Sequence, residues 1–333
     1  MKIALLFPGQ GSQYVGMGKQ LAQMFPRAAA IYQKANDVLG MDLRKLCFEG
    51  PESELVLTNN SQPALLTTSI ACWEVLKQEM PAVGPTATAM NIVGCAGLSL
   101  GEYTALFVAG ALSFKDALSL VRARGTFMQE ACESVPSGMV SVIGWDAQRV
   151  ADLCREVTAD HPGMVLDIAN VNCPGQIVIS GHREAVENAA ARLGSMEAVR
   201  AIPLSVAGAF HSRLMQPAAD QLKATMQRVS FSTPKVPVFT NVTGQRVNSA
   251  GAIGDLLIRQ ITSPVLWEGC VRSMIALQPD LFLEIGSGKV LCGLARKIDR
   301  NAKSCNIEDE ASLRKTVNML GSFNPERGGI PTS

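Results

Sequence analysis

Gly97-Leu98-Ser99-Leu100-Gly101 sets a serine between two glycines, each two positions away. It comes straight after the apolar run at 92–96 and before a helical pattern that opens with Glu102. A strand, a sharp turn and a helix form the setting that lifts a serine Oγ into a cleft as a nucleophile. The small flanking residues let the chain turn tightly, so that the N–H of the following residue can face a developing oxyanion. A serine hydroxyl at neutral pH needs a base, and the chain has only three histidines. His161 precedes Pro162-Gly163 in a turn, and His182 opens a polar, Glu-containing helix start, so both read as surface residues. His211, in "SVAGAFHSRLM", lies between small and apolar residues where a cleft between subdomains would form, and it is the favoured base.

A cation completes the set. Ser113 reads as an N-cap, with Asp116 at the third position, for a helix whose apolar stripe is Phe114, Ala117, Leu118, Val121, Gly125 and Met128. Continuing the stripe from Val121 turns Arg124 inward and leaves Arg122 on the wet face. A guanidinium cannot shed its charge, so a buried Arg124 must meet either a structural Asp or Glu or a ligand carboxylate. The helix pattern leaves both open. The glycine loop "FPGQGSQYVGMGKQ" is not a phosphate cradle. Gln13 and Gln20 break the GxxxxGK[ST] pattern, and Tyr14 stands where GxGxxG needs its third glycine.

The elements that must position these residues follow from the rest of the chain. Its 333 residues are 47% hydrophobic and 18% charged, which points to a large, well-buried α/β body, with an insertion or a second unit sharing its core. A formal net charge of +1 gives no global footprint for nucleic acid or an anionic membrane. No run of 18 apolar residues suggests a membrane span. Nine scattered cysteines, none in a CxxC pair, suit reduced thiols and a cytoplasmic protein. Strand-like runs at 3–7 and 92–96 alternate with helical patterns at 18–39 and 62–78 and with two more up to residue 133, as in a parallel sheet with helices on its faces. Between 138 and 204 the order becomes βαββαβ, the ferredoxin-like unit. The division expected is a large subdomain of 1–130 and 205–315, a small one of 131–204, and a disordered tail of 316–333.

"FPGQGSQ", "GLSLGEYTAL", "RGTFMQEA", "GAFHS" and "EIGSGKVLCGL", in this order and spacing, resemble the malonyl-CoA:acyl carrier protein transacylases of bacterial and plastid fatty acid synthesis, over residues 1–315. The resemblance implies an α/β-hydrolase-like large subdomain with a ferredoxin-like insertion. It also implies Ser99 as the acylated nucleophile, His211 as the base and Arg124 as the ligand of the malonyl carboxylate. Gln10 and Leu100 would supply oxyanion-hole N–H groups, and the Gln260 carbonyl would orient the histidine in place of a triad acid. The implied substrates are malonyl-CoA and acyl carrier protein, with no cofactor, no metal and a monomeric enzyme. The basic set Lys289, Arg296, Lys297, Arg300 and Lys303 offers a face to an acidic carrier, or simply a solvated helix surface. Two residues depart from the family pattern. Leu98 stands where histidine is frequent, a change of local polarity that leaves the base in place, and Ser287 stands where proline is common, a change of stiffness. A discrete acyltransferase serving a polyketide synthase would share this chemistry. A serine esterase would call for an acidic third member and give Arg124 no purpose, and a docking subunit with a decayed site would not keep all these residues.

Overall fold

The computed structural model describes residues 1–80 and 90–321. The chain runs through β1 (Lys2–Phe7), α1 (Lys19–Met24), α2 (Pro26–Leu39), α3 (Leu43–Glu49), the single turn α4 (Glu52–Leu55), α5 (Thr58–Glu79) and β2 (Asn91–Gly97). There follow α6 (Gly101–Val108), α7 (Phe114–Ser134), β3 (Ser137–Ile143), α8 (Ala147–Asp160), β4 (Leu166–Cys173), β5 (Gln176–His182), α9 (Arg183–Gly194) and β6 (Arg200–Pro203). The last part holds α10 (Gln216–Met226), β7 (Val238–Phe239), α11 (Ala250–Gln260), α12 (Trp267–Ile275), β8 (Leu281–Ile285), α13 (Val290–Ile298), β9 (Ser304–Ile307) and α14 (Glu310–Gly321).

Two sheets result. The larger is parallel, in the order β7-β2-β1-β8-β9. Ile3 to Phe7 of its central strand are all buried, as expected of a strand covered by helices on both faces. Phe7 pairs with Gly97, so the loops leaving β1 and β2 emerge side by side at the same edge of the sheet. The smaller sheet is antiparallel, in the order β4-β5-β3-β6, and is the ferredoxin-like unit inserted in an α/β-hydrolase-like body. The strand period of two divides its side chains. Val140, Val142, Ile177 and Ile179 pack against α8 and α9, while Met139 and Val178 turn the other way, into the main core. Val265 stitches the two bodies together: its N–H donates to the Ala169 carbonyl (2.8 Å) and its carbonyl accepts from the Val171 N–H (2.9 Å).

Three expectations need correction. The single helix read over 18–39 is two, because the residue before a proline is driven out of the α region and Phe25, ahead of Pro26, is extended (φ −122°, ψ 112°). The tail does not begin at 316: α14 continues to Gly321, with Thr316, Val317 and Leu320 buried, while 322–333 lie outside the described residues. Arg122 is not on a wet face. Pro63, inside α5, has no N–H to offer the Asn59 carbonyl four residues back. The half-buried Arg122 guanidinium takes its place, donating to Asn59 O (2.6 Å) and Asn60 Oδ1 (2.7 Å).

Candidate active site

Ser99 sits at the turn between β2 and α6 with φ 50°, the left-handed region that only a tightly determined turn imposes on a serine. The turn closes because glycines stand two positions away on either side. A Cβ on Gly97 would run into the Gly101 carbonyl, and one on Gly101 into the Phe7 carbonyl. Leu98 is held by its N–H to Phe7 O (3.0 Å), and Ser99 by its N–H to Asn241 Oδ1 (2.6 Å). Ser99 Oγ lies 2.8 Å from His211 Nε2. His211, also at positive φ (58°), has Nδ1 2.8 Å from the Gln260 carbonyl at the end of α11. A carbonyl can only accept, so Nδ1 carries the proton and Nε2 presents its lone pair to the serine hydroxyl. Burial, and the Arg124 charge beside it, push the imidazole down to about 4, so it is neutral at pH 7 and free to take a proton.

Arg124 does point inward and is 1% exposed. It reaches the site because α7 crosses α5 closely at Gly125, where a Cβ would meet the Thr58 carbonyl. Nη1 donates to Gln62 Oε1 (2.8 Å), and Nη2 to Ser99 Oγ (2.9 Å) and Gln260 Oε1 (3.0 Å). Nε is buried with no hydrogen-bond partner among the described residues, and the Tyr103 ring centroid lies 5.7 Å from the guanidinium carbon. Among the described residues no carboxylate forms an ion pair with Arg124. The nearby buried acid, Glu102, bonds the Gln260 side chain and the Asn241 backbone instead.

These residues face a cleft of about 290 Å³ lined on one side by Gln10, Leu98, Ser99 and Arg124 and on the other by Asn170, Val178 and neighbours from the small subdomain. Gln10 follows Gly9, whose bare α-carbon lets the loop lie against the Leu98 carbonyl, and its side chain donates to Thr58 Oγ1 (3.4 Å). Leu100 is the N-cap of α6, ahead of the turn in which Gly101, Glu102 and Tyr103 donate to the carbonyls of Leu98, Ser99 and Leu100. His161 and His182 do not line the cleft. Both are half-buried in the small subdomain rather than free on its surface, His161 against Asn188 and His182 accepting from the Val165 N–H. Ser287 is buried with its hydroxyl against Met17 Sδ (3.3 Å). Lys289, Arg296 and Lys303, joined by Lys315, line a separate exposed hollow, while Lys297 reaches Gln176 of the small subdomain.

Sequence reasoning missed Gln62, Asn241 and, as more than a helix start, Glu102. Asn241 ties the Ser99 N–H, the Gly97 carbonyl and the Gln260 amide together through its side chain. No local pattern marked them in advance: Gln62, for instance, follows the polar run Thr58 to Ser61 at the start of α5 and is nevertheless buried.

An acyl transferase domain model matches residues 4–329. The chain is 44% identical, over 97% of its length and 98% of the relative's, to the malonyl CoA-acyl carrier protein transacylase of Bacillus subtilis. It is 43% identical to that of Escherichia coli K12, over 96% and 99%. Among solved structures it superposes on the Clostridium perfringens transacylase with a TM-score of 0.88 (38% identity, 96% and 97% covered). A malonyl-transacylase solved in complex with a type II polyketide synthase carrier protein matches with a TM-score of 0.87 (39% identity, 96% and 99% covered). With a family model spanning residues 4–329 and relatives more than 40% identical over nearly all of the sequence, this chain belongs to the acyl transferase family, among the malonyl-CoA:acyl carrier protein transacylases.

Proposed function

We propose that this chain moves a malonyl group from malonyl-CoA to the phosphopantetheine thiol of an acyl carrier protein, through a malonyl ester on Ser99, and so supplies fatty acid synthesis. The observation that carries this reading is a buried arginine with no ion-pair partner among the described residues, 2.9 Å from a nucleophilic serine oxygen. Such a cation suits an acyl group bearing its own carboxylate and serves no purpose in an esterase. In the first half-reaction His211 Nε2 takes the Ser99 proton as Oγ attacks the thioester carbonyl, and the oxyanion is met by the Gln10 and Leu100 N–H groups. Collapse breaks the C–S bond, and the imidazolium returns its proton to the departing thiolate. The carrier's thiol then runs the same steps in reverse: His211 takes its proton, sulfur attacks the ester, and Ser99 leaves as the alcohol.

The Gln260 carbonyl orients His211 throughout, in the place where a triad acid would stand. The chemistry as written calls for no cofactor or metal, and every group comes from one chain, which suits a monomer. The nine thiols are free and all but the half-buried Cys305 are buried, and burial raises their pKa, in keeping with a reducing cytoplasm. Of the exposed cations Lys289, Arg296, Lys297, Arg300 and Lys303, the three that share one hollow with Lys315, namely Lys289, Arg296 and Lys303, offer a face to an acidic carrier. The test is intact mass after incubation with malonyl-CoA, then with a phosphopantetheinylated carrier. One malonyl group should appear on Ser99 and pass to the carrier, and Ser99→Ala should take none. Label on a cysteine, or no label at all, would sink the reading.

A further inference from the structure

Glu102 opens the helix that follows the nucleophile, where a carboxylate gains from the helix dipole. An exposed glutamate would gain as much without losing its hydration, yet Glu102 is 1% exposed. Its Oε2 accepts from the Asn241 backbone N–H (2.9 Å) and from Gln260 Nε2 (2.7 Å). Those two partners touch every reacting group. Asn241 Oδ1 holds the Ser99 N–H, Gln260 Oε1 holds Arg124 Nη2, and the Gln260 carbonyl holds His211 Nδ1. The same Gln260 Nε2 also donates to Ser99 O (3.1 Å).

We infer that Glu102 is a positioning residue for the acyl transfer proposed above: through Gln260 and Asn241 its ionised carboxylate holds Ser99, His211 and Arg124 in one arrangement and supplies the negative charge that faces them. The charge is needed because His211 becomes an imidazolium during the reaction beside the permanent cation of Arg124, while its own Nδ1 partner is a neutral carbonyl. The groups facing Glu102 are Arg124 from α7, Tyr103 from α6 and the Cys270 thiol from α12, with His211 reached through Gln260. Of these, only Arg124 is charged at neutral pH. Burial pushes the Glu102 carboxyl up to about 7, against the two N–H donors and Arg124, which lower it. Its protonation therefore falls in a window where His211, at about 4, has already lost its proton.

The test is the single-turnover rate of Ser99 malonylation against pH, read by quenched intact mass, for the wild type, Glu102→Gln and Glu102→Ala. One oxygen of Glu102 accepts both bonds, so the glutamine can keep them while removing the charge. The wild-type rate should rise through a limb near pH 7 that Glu102→Gln lacks, leaving the glutamine variant about tenfold slower at the alkaline end. Glu102→Ala, with both donors released, should be slower at every pH. A glutamine variant that keeps the limb near 7, or an alanine variant that matches the wild type, would overturn the assignment. Because the inference rests on malonyl transfer, a wild type that takes no malonyl group defeats the function itself, whereas normal wild-type labelling with parallel variant profiles defeats only the role of Glu102.

Discussion

Replacing Arg124 by alanine is the sharpest test of what the cleft selects. In the resting site the guanidinium donates, among the described residues, only to neutral oxygens on Gln62, Gln260 and Ser99, while Nε has no partner there and the nearby Glu102 carboxylate is bonded elsewhere. A malonyl carboxylate entering the cleft would be its first directly paired anion, while an acetyl group would leave it as it is. Leaving one member of a buried ion pair without its partner costs about 3 to 5 kcal/mol, which corresponds to roughly 10² to 10⁴ in rate discrimination. In Arg124→Ala, malonyl transfer should fall by such a factor while acetyl transfer holds or improves. The assay is competition between malonyl-CoA and acetyl-CoA, read as acyl-Ser99 by mass, with circular dichroism to establish that the variant is folded. Equal losses for both acyl groups in a folded variant would refute the reasoning and make Arg124 a structural donor to Gln62 and Gln260. The neighbouring Arg122→Ala should lose about 1 to 3 kcal/mol of stability through the stranded Asn59 carbonyl, with the acyl preference unchanged.

His211→Ala should fold and still bind malonyl-CoA, yet acylate about 10² to 10⁴ more slowly in a single turnover. It should also lack the acid limb near 4 at which the wild-type imidazole gains a proton and ceases to be a base; a limb that survives belongs to another group. Gly101→Ala should cost about 3 kcal/mol in urea unfolding, because its Cβ would run into the backbone carbonyls of Phe7 and Pro8, and an unperturbed variant would mean that the elbow can relax. The carboxyl of Glu102 is raised from 4.5 unfolded to about 7 folded, so its contribution to stability is complete below the first value and lost as pH rises through the second. The wild type should lose roughly 3 kcal/mol across that interval relative to Glu102→Gln, and a stability difference that stays constant with pH would contradict it.

Much of this site was legible because its residues carry local constraints. A serine between two glycines after an apolar strand leaves little but an elbow, and three histidines leave few bases to choose from. Arg124 was placed by helical periodicity alone, which works when one face of a long helix is buried. Arg122 defeated the same argument, because its burial answers to Pro63 in another helix and no pattern along α7 records that. Glu102, Asn241 and Gln62 were hidden for a similar reason. Each is defined by a partner far along the chain, 139 residues away for the Glu102 to Asn241 bond, and a single polar letter does not say whom it will meet. The break at Pro26 could have been read from the proline, and the small sheet was read from its βαββαβ element order, in which β4 and β5 alone pair as a local hairpin, whereas the edge strand β9 is too short to show a period.

The separations in sequence between the reacting groups also govern when chemistry becomes possible. Ser99 and His211 are 112 residues apart, and the Gln260 carbonyl that fixes the histidine tautomer comes 49 residues later still. A growing chain therefore exposes its serine long before it owns a base, and owns a base before that base is aligned. Closing such distant contacts is among the later events of folding. Nascent or partly folded copies therefore lack the aligned serine–histidine pair, and acylation of Ser99 is expected only once the large sheet has closed around its insertion.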